Sequence, residues 1–160
     1  MRDLAAEAGV SFATPFNQFG SKAAIMHALS DRRIDRMEAR YTAEQPQEDM
    51  LRRVLMAVTI ATDVMLEEPA INRAVMGWLG TSGPVPGKVL ARSTDLWALA
   101  LGAGEGLSEA RRSEAIRHLP QQLAIAFRGV LSFWTAGELS DDVLTAQARE
   151  IASALLLGYT

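Results

Sequence analysis

No cysteine occurs anywhere in the 160 residues, so disulfides, zinc–thiolate centres and thiol catalysis are excluded outright. Histidine is nearly as scarce. His27 and His118 are the only two, too far apart in sequence for a local ligand pair, and each reads as an isolated surface or core residue. We expect no metal site and no cofactor. The apolar runs are short and interrupted by charge, far below the ~20 residues that cross a bilayer, so no membrane span is expected. The start, Met1-Arg2-Asp3-Leu4, lacks the basic-then-apolar layout of a secretory leader. Together with the absent cysteines this predicts a cytoplasmic protein. There is no phosphate-binding glycine loop, no nucleophile elbow and no carboxylate pair at telling spacing. Nothing points to catalysis, and we expect no enzyme.

What is present suits a folded helical protein. Hydrophobic residues make up 49% and charged ones 22%, neither a disordered tail nor a membrane protein. The length suits one domain, or a small head on a larger body. The net charge of −3 is unevenly spread: residues 1–40 sum to +1 and the remainder to −4. The acidity therefore belongs to the body, and the mildly basic start permits a nucleic-acid partner without requiring one.

Turn signals divide the chain into helical blocks, and no stretch alternates with a period of two. The fold class read here is all-α. A first block runs from about Arg2 to Ala8, and a second from Ser11 to Phe19, stopped by Gly20. Ser21 is a good N-cap for a long helix to about Thr42, with Ile34, Met37 and Tyr41 on one side. Gln45-Pro46-Gln47 ends it. From Glu48 to Glu68, Leu51, Val54, Leu55, Val58 and Met65 recur at helical spacing, and Pro69 closes the block. A shorter block, Ala70 to Leu79, leads into Gly80-Thr81-Ser82-Gly83-Pro84-Val85-Pro86-Gly87, the most loop-like stretch and a predicted mobile connection. Further helices are predicted over Lys88 to Ala103, Ser108 to Ala136 and Asp141 to Gly158. The last two are joined by Gly137-Glu138-Leu139-Ser140, short enough to make them antiparallel neighbours. The predicted division is 1–42 as head and connecting helix, and 43–160 as body.

The most specific pattern lies at the start, where Leu4-Ala5-Ala6-Glu7-Ala8-Gly9-Val10-Ser11 precedes Thr14, Phe16 and Phe19. Two helices crossing steeply need a small residue at the crossing, which Ala5 supplies. The turn four residues later needs a left-handed backbone, which Gly9 adopts without a Cβ penalty. Val10 fills the inner corner, Ser11 caps the second helix, and Phe16 and Phe19 anchor it inward. Pro15 fits if Thr14 is the effective N-cap, because proline is then at the first helical position.

The run Gly9-Val10-Ser11-Phe12-Ala13-Thr14-Pro15-Phe16-Asn17-Gln18-Phe19-Gly20-Ser21-Lys22 resembles the recognition-helix signature of the TetR family of transcriptional regulators. That pattern runs Ala-Gly-Val-Ser, two variable residues, Thr, one variable residue, an aromatic, two polar positions, Phe, a small residue and Ser-Lys. The resemblance covers roughly the first 30 residues. It implies a helix-turn-helix head followed by a helical bundle that binds a ligand and dimerises, in a homodimeric repressor with a palindromic double-stranded DNA operator. By position, Ser11, Thr14, Phe16, Asn17 and Gln18 would face DNA, and Asn17 and Gln18 could offer paired amide groups to adenine edges. Phe16 departs from the usual tyrosine and loses a phosphate contact. Lys22 would pair with a phosphate at the start of the next helix. The basic run Arg32, Arg33, Arg36 and Arg40 reads as a solvated face partly paired with Asp31, Asp35 and Glu38.

Sensing is implied by the resemblance and supported by the middle helices, which carry Met50, Met56, Met65, Met76, Trp78, Leu79 and Trp97. Flexible thioethers beside large aromatics can line an adaptable cavity. Val54, Met65, Trp78 and Trp97 are the candidate pocket for an apolar or amphipathic effector, with the Gly80 to Gly87 loop controlling entry. The dimer is expected from the two C-terminal helices, through Phe127, Gly129, Val130 and Trp134 opposite Ile151 and Leu155. In the family a further helix precedes the motif, and here Met1 stands three residues before Leu4. The head is therefore expected to be a truncated three-helix unit, with the inner faces at Leu4, Ala8, Phe16 and Phe19 expected to be partly open to water. The alternative expectation follows from this: a ligand-binding, dimerising protein that holds DNA only weakly.

Overall fold

The computed structural model describes residues 9, 11, 13, 14, 17, 20–44, 49–79 and 88–159. Among them the chain is all helical, with α1 (Lys22–Ala43), α2 (Met50–Glu67), α3 (Pro69–Leu79), α4 (Val89–Leu101), α5 (Glu109–Thr135) and α6 (Asp141–Leu157). The boundaries follow local chemistry. Ser21 caps α1 by accepting the Ala24 N–H at 3.1 Å, and Asp49 caps α2 by accepting that of Leu51 at 2.9 Å. Each supplies an acceptor that the first turn of a helix lacks. Pro69 disfavours helical geometry at Glu68 and then opens α3 itself, where its missing donor is harmless. Gly102, at φ +61°, ends α4 two residues before the predicted Ala103. Helix α5 passes through Pro120, forgoing one backbone bond.

Helix α2 is central, packed against α1, α4 and α6, while α5 lies on α4, α6 and α3. Val54, Val58, Leu96, Trp97, Leu123 and Trp134 form the middle of the core. Helices α5 and α6 are the antiparallel pair expected from their short link. Trp134 Nε1 donates to Asp141 at 2.7 Å, and the Arg73 guanidinium lies 4.4 Å over the Trp134 ring while bonding the same carboxylate at 2.5 Å. Helix α1, expected as the connecting helix between head and body, buries Ile25, Ile34, Met37 and Tyr41 against the helices that follow it.

The arginine run on α1 is also placed differently from the expectation. Arg33 pairs with Glu68 at 2.7 Å, and Arg36 and Arg40 both reach Glu67. Asp35 and Glu38 instead meet Arg92 of α4. The run fastens α1 to the C-terminal end of α2 rather than pairing along its own helix.

One buried cation closes the end of α4. Arg53, 8% exposed, donates Nε–H to the Ala100 carbonyl at 3.2 Å and an Nη2 hydrogen to that of Leu101 at 2.9 Å. It also pairs with Glu105. The last carbonyls of a helix have no intrahelical donor and carry the negative end of its dipole. Arg53 answers both.

Candidate effector cavity and DNA-facing segment

Between α1, α3, α4 and α5 lies a cavity of about 830 Å³, within the range of about 300–1,000 Å³ typical of small-molecule sites. Its apolar wall includes Ile34, Met37, Met65, Val75, Leu96 and Leu131. The ends of α3 and α4 contribute Trp78 and Leu79 on one side and Val89 and Leu90 on the other. These flank residues 80–87, the predicted entry loop, which lies outside the described residues.

Two of the four candidate pocket residues, Met65 and Trp78, stand on this wall. The other two do not. Val54 is buried in the core, and Trp97 sits behind Phe127, with ring centroids 5.4 Å apart at 66°. Phe127 is itself on the wall, so Trp97 is one layer removed from the cavity. Of the methionines, Met65 and Met76 reach the cavity, Met50 is core and Met56 packs against the core. Register explains the split. Met65 lies in the last turn of α2, near the cavity, whereas Met50 and Val54 occupy its first turns.

The polar groups of the wall escaped the sequence reading. His27 meets Trp78 edge-on, centroids 5.6 Å apart. Ser30 and Ser93 contribute hydroxyls. Asn72 is fully buried, donating its amide to the Val64 and Met65 carbonyls at 3.2 and 2.8 Å while its oxygen accepts Arg33 Nε–H at 2.8 Å. It caps α2 and aligns Arg33 in one arrangement. The half-buried Arg128 bonds the Met76 carbonyl and sulfur, both at 3.0 Å. A signal existed for His27 and Ser30, since continuing the stripe of Ile34 and Met37 backward by threes and fours reaches both. Arg128 likewise interrupts an apolar stripe, standing between Ala124 and Leu131.

The cavity reaches the beginning of α1, where Ser21 and Ala24 line it. The preceding segment is described in part. Gly9 and Gly20 adopt φ of +64° and +72°, the left-handed region that favours glycine. Ala13, Thr14 and Asn17 are helical, with Asn17 exposed. The Ser11 carbonyl accepts the Thr14 N–H at 3.0 Å, and the two hydroxyls are 2.9 Å apart. Thr14 is itself helical, so it is not the N-cap that the reading of Pro15 supposed. Lys22 opens α1 and is exposed. Of the remaining candidate DNA-facing residues, Phe16 and Gln18 lie outside the described residues, as does Pro15.

The candidate dimer residues divide into two sets. Phe127, Val130 and Trp134 face the protein's own core, so they are not available to a partner in this fold. Gly129 and Ile151 are outside that core, and Leu155 packs on its edge. A Cβ built on Gly129 meets nothing within 4 Å. The neighbouring face of α5 carries Gln122, Ala126 and Gly129 and ends at Phe133, which is 54% exposed. Helix α6 adds Gln147, Ala154 and Ile151, 39% exposed. Those seven side chains include no charge.

Among the described residues no helix is long and apolar enough to cross a membrane, and no cluster of His, Asp and Glu could hold a metal ion. Compared with protein-family models, curated proteins and solved structures, the chain finds no match.

Proposed function

We propose that this chain is a ligand-responsive, DNA-binding repressor of the TetR type that acts in the cytoplasm as a homodimer. The observation that carries this reading is where the cavity lies. Its wall runs onto Ser21, the N-cap of α1, and Ala24 in its first turn, where the segment whose sequence resembles a recognition helix joins α1. A ligand in the cavity therefore touches the helix on which the head is mounted.

The mechanism is geometric. Two recognition helices reach successive major grooves only if their separation matches one DNA turn, roughly 34 Å, or a multiple of it. A ligand that binds better when α1 is inclined differently favours the mismatched separation and releases DNA. The ion pairs from Arg33, Arg36 and Arg40 to the end of α2 hold the resting inclination. The more exposed pairs, those of Arg36 and Arg40, are individually worth about 0–1 kcal/mol, weak enough for a ligand to re-set.

The test is enrichment of duplexes from a random pool by the purified chain at fixed salt, followed by titration of the best sequence. Asn17→Ala should weaken binding to that sequence roughly tenfold to a hundredfold and relax its specificity, as expected for loss of a base contact. Lys22→Ala should weaken all sequences alike and lower the salt slope by about one. A chain that dimerises and binds ligands but enriches no sequence would be the weak DNA holder instead, and the repressor reading would be wrong.

A further inference from the structure

We infer that the cavity takes an amphipathic anion, an apolar body carrying a single carboxylate or similar acidic headgroup, with Arg128 as the residue that receives the headgroup. This rests on reading the cavity as an effector site. The first observation is the sign of its wall. The charged side chains lining it are Arg33 and Arg128, His27 is also present, and no aspartate or glutamate lines it among the described residues. Residues 80–87 contain no acid in sequence either.

The second observation separates the two arginines. Arg33 is already neutralised, through Glu68 at 2.7 Å and Asn72 at 2.8 Å. Arg128 has no carboxylate partner among the described residues. Its bonds go to the Met76 carbonyl and thioether, which use two of its five N–H groups. A thioether is a weak acceptor, so the group is poorly compensated. Burial alone holds this guanidinium below its ordinary range, with no acid opposing the shift. Even a half-buried charge is poorly solvated without a counter-ion, and a planar fork with free donors is suited to a carboxylate.

The rest of the wall selects the body of such a ligand. Val75, Trp78, Leu79, Leu96, Phe127 and Leu131 offer apolar surface, and a volume of about 830 Å³ admits a medium-length chain or a fused-ring body. A cationic ligand would meet Arg128 and Arg33 with no acid to offset them. A neutral one would leave Arg128 unpaired.

Titration calorimetry with decanoate, decan-1-ol and decylamine, at concentrations below micelle formation, tests this on the full chain. Decanoate should bind roughly tenfold to a hundredfold more tightly than decan-1-ol, the range for a hydrogen bond to a charged group. Decylamine should bind more weakly than either. Arg128→Gln should bring decanoate to the level of decan-1-ol while leaving decan-1-ol unchanged, which also shows that the variant is folded. Arg128→Lys should keep part of the preference. Equal binding of acid and alcohol, or a preference that survives Arg128→Gln, would overturn the anion inference and leave the cavity reading standing. If none of the three bound, or if binding were indifferent to Trp78→Ala, the cavity reading would fall and the inference with it.

Discussion

Aspartate at both Phe133 and Ile151 is expected to turn a dimer into a folded monomer. The two side chains are apolar and 54% and 39% exposed, on a face where Ala126, Gly129 and Ala154 are small enough for close helix approach. Isologous pairing of two α5–α6 hairpins across this face makes a four-helix interface. In such an interface each aspartate is buried without a partner, at a cost of several kcal/mol per charge. Two on each protomer should raise the dissociation constant by roughly a thousandfold or more. Sedimentation reads the mass, and circular dichroism should show unchanged helix content. DNA affinity should collapse too, because two half-sites are no longer held by one particle. Retention of the dimer by the double variant would place the interface elsewhere. Phe127→Asp and Trp134→Asp, by contrast, are expected to unfold the chain, since both residues belong to its own core.

The second large effect is on stability. Arg53→Met removes the only side chain described as donating to the Ala100 and Leu101 carbonyls, together with the partner of Glu105. Hydrogen bonds from a charged donor contribute about 1.5–3 kcal/mol each, and methionine preserves most of the packing. A loss of about 3 kcal/mol is expected, a fall in Tm of roughly 10 °C for a chain of this size. Acid dependence gives a second readout. The Glu105 carboxyl lies below its ordinary range, held there by a hydrogen bond to its own backbone N–H and by one from Arg53. Its folded value is depressed, so its contribution is present above the unfolded value and is lost as pH falls through the folded one. Arg53→Met should therefore cost least in acid. A variant as stable as the parent at neutral pH would show that other groups satisfy the end of α4.

Much of the architecture was legible because local chemistry sets helix ends. Ser21, Pro69 and the Gly137 to Ser140 link each punctuate the chain by their own geometry, and the boundaries predicted for the six helices from Lys22 onward agree to within about two residues, while the ends of the two blocks predicted before Gly20 fall largely outside the described residues. Which face meets what was less legible. Periodicity gives the phase of a stripe and not its partner, so the large stripe of Phe127, Val130 and Trp134 was assigned to a second copy although it fills this chain's core. Of the smaller stripe of Ala126, Gly129 and Phe133, which has no charge to mark it as solvated, only Gly129 was named for the interface. Composition likewise found the neighbourhood of the cavity and not its surface. Met65 and Trp78 were placed on it, whereas Val54 and Trp97 lie behind the wall. The partners of Arg33, Arg36 and Arg40 were out of reach because Glu67 and Glu68 are 27–35 residues away, beyond any rule for neighbours on one helix. Arg128 was visible as a charge inside an apolar stripe, but that it has no acidic partner among the described residues required the fold.

The central claim is that cavity and DNA are coupled through α1, and one titration tests it most directly. The duplex enriched by the chain is titrated at fixed salt, followed by fluorescence anisotropy, with and without a saturating ligand whose binding depends on Trp78. The account predicts that the ligand weakens DNA binding roughly 5- to 150-fold, the usual span of such couplings, and that DNA weakens the ligand by the same factor. Trp78→Ala should bind DNA normally and no longer respond to the ligand at that concentration. A DNA affinity unchanged at full occupancy of the cavity would contradict the account.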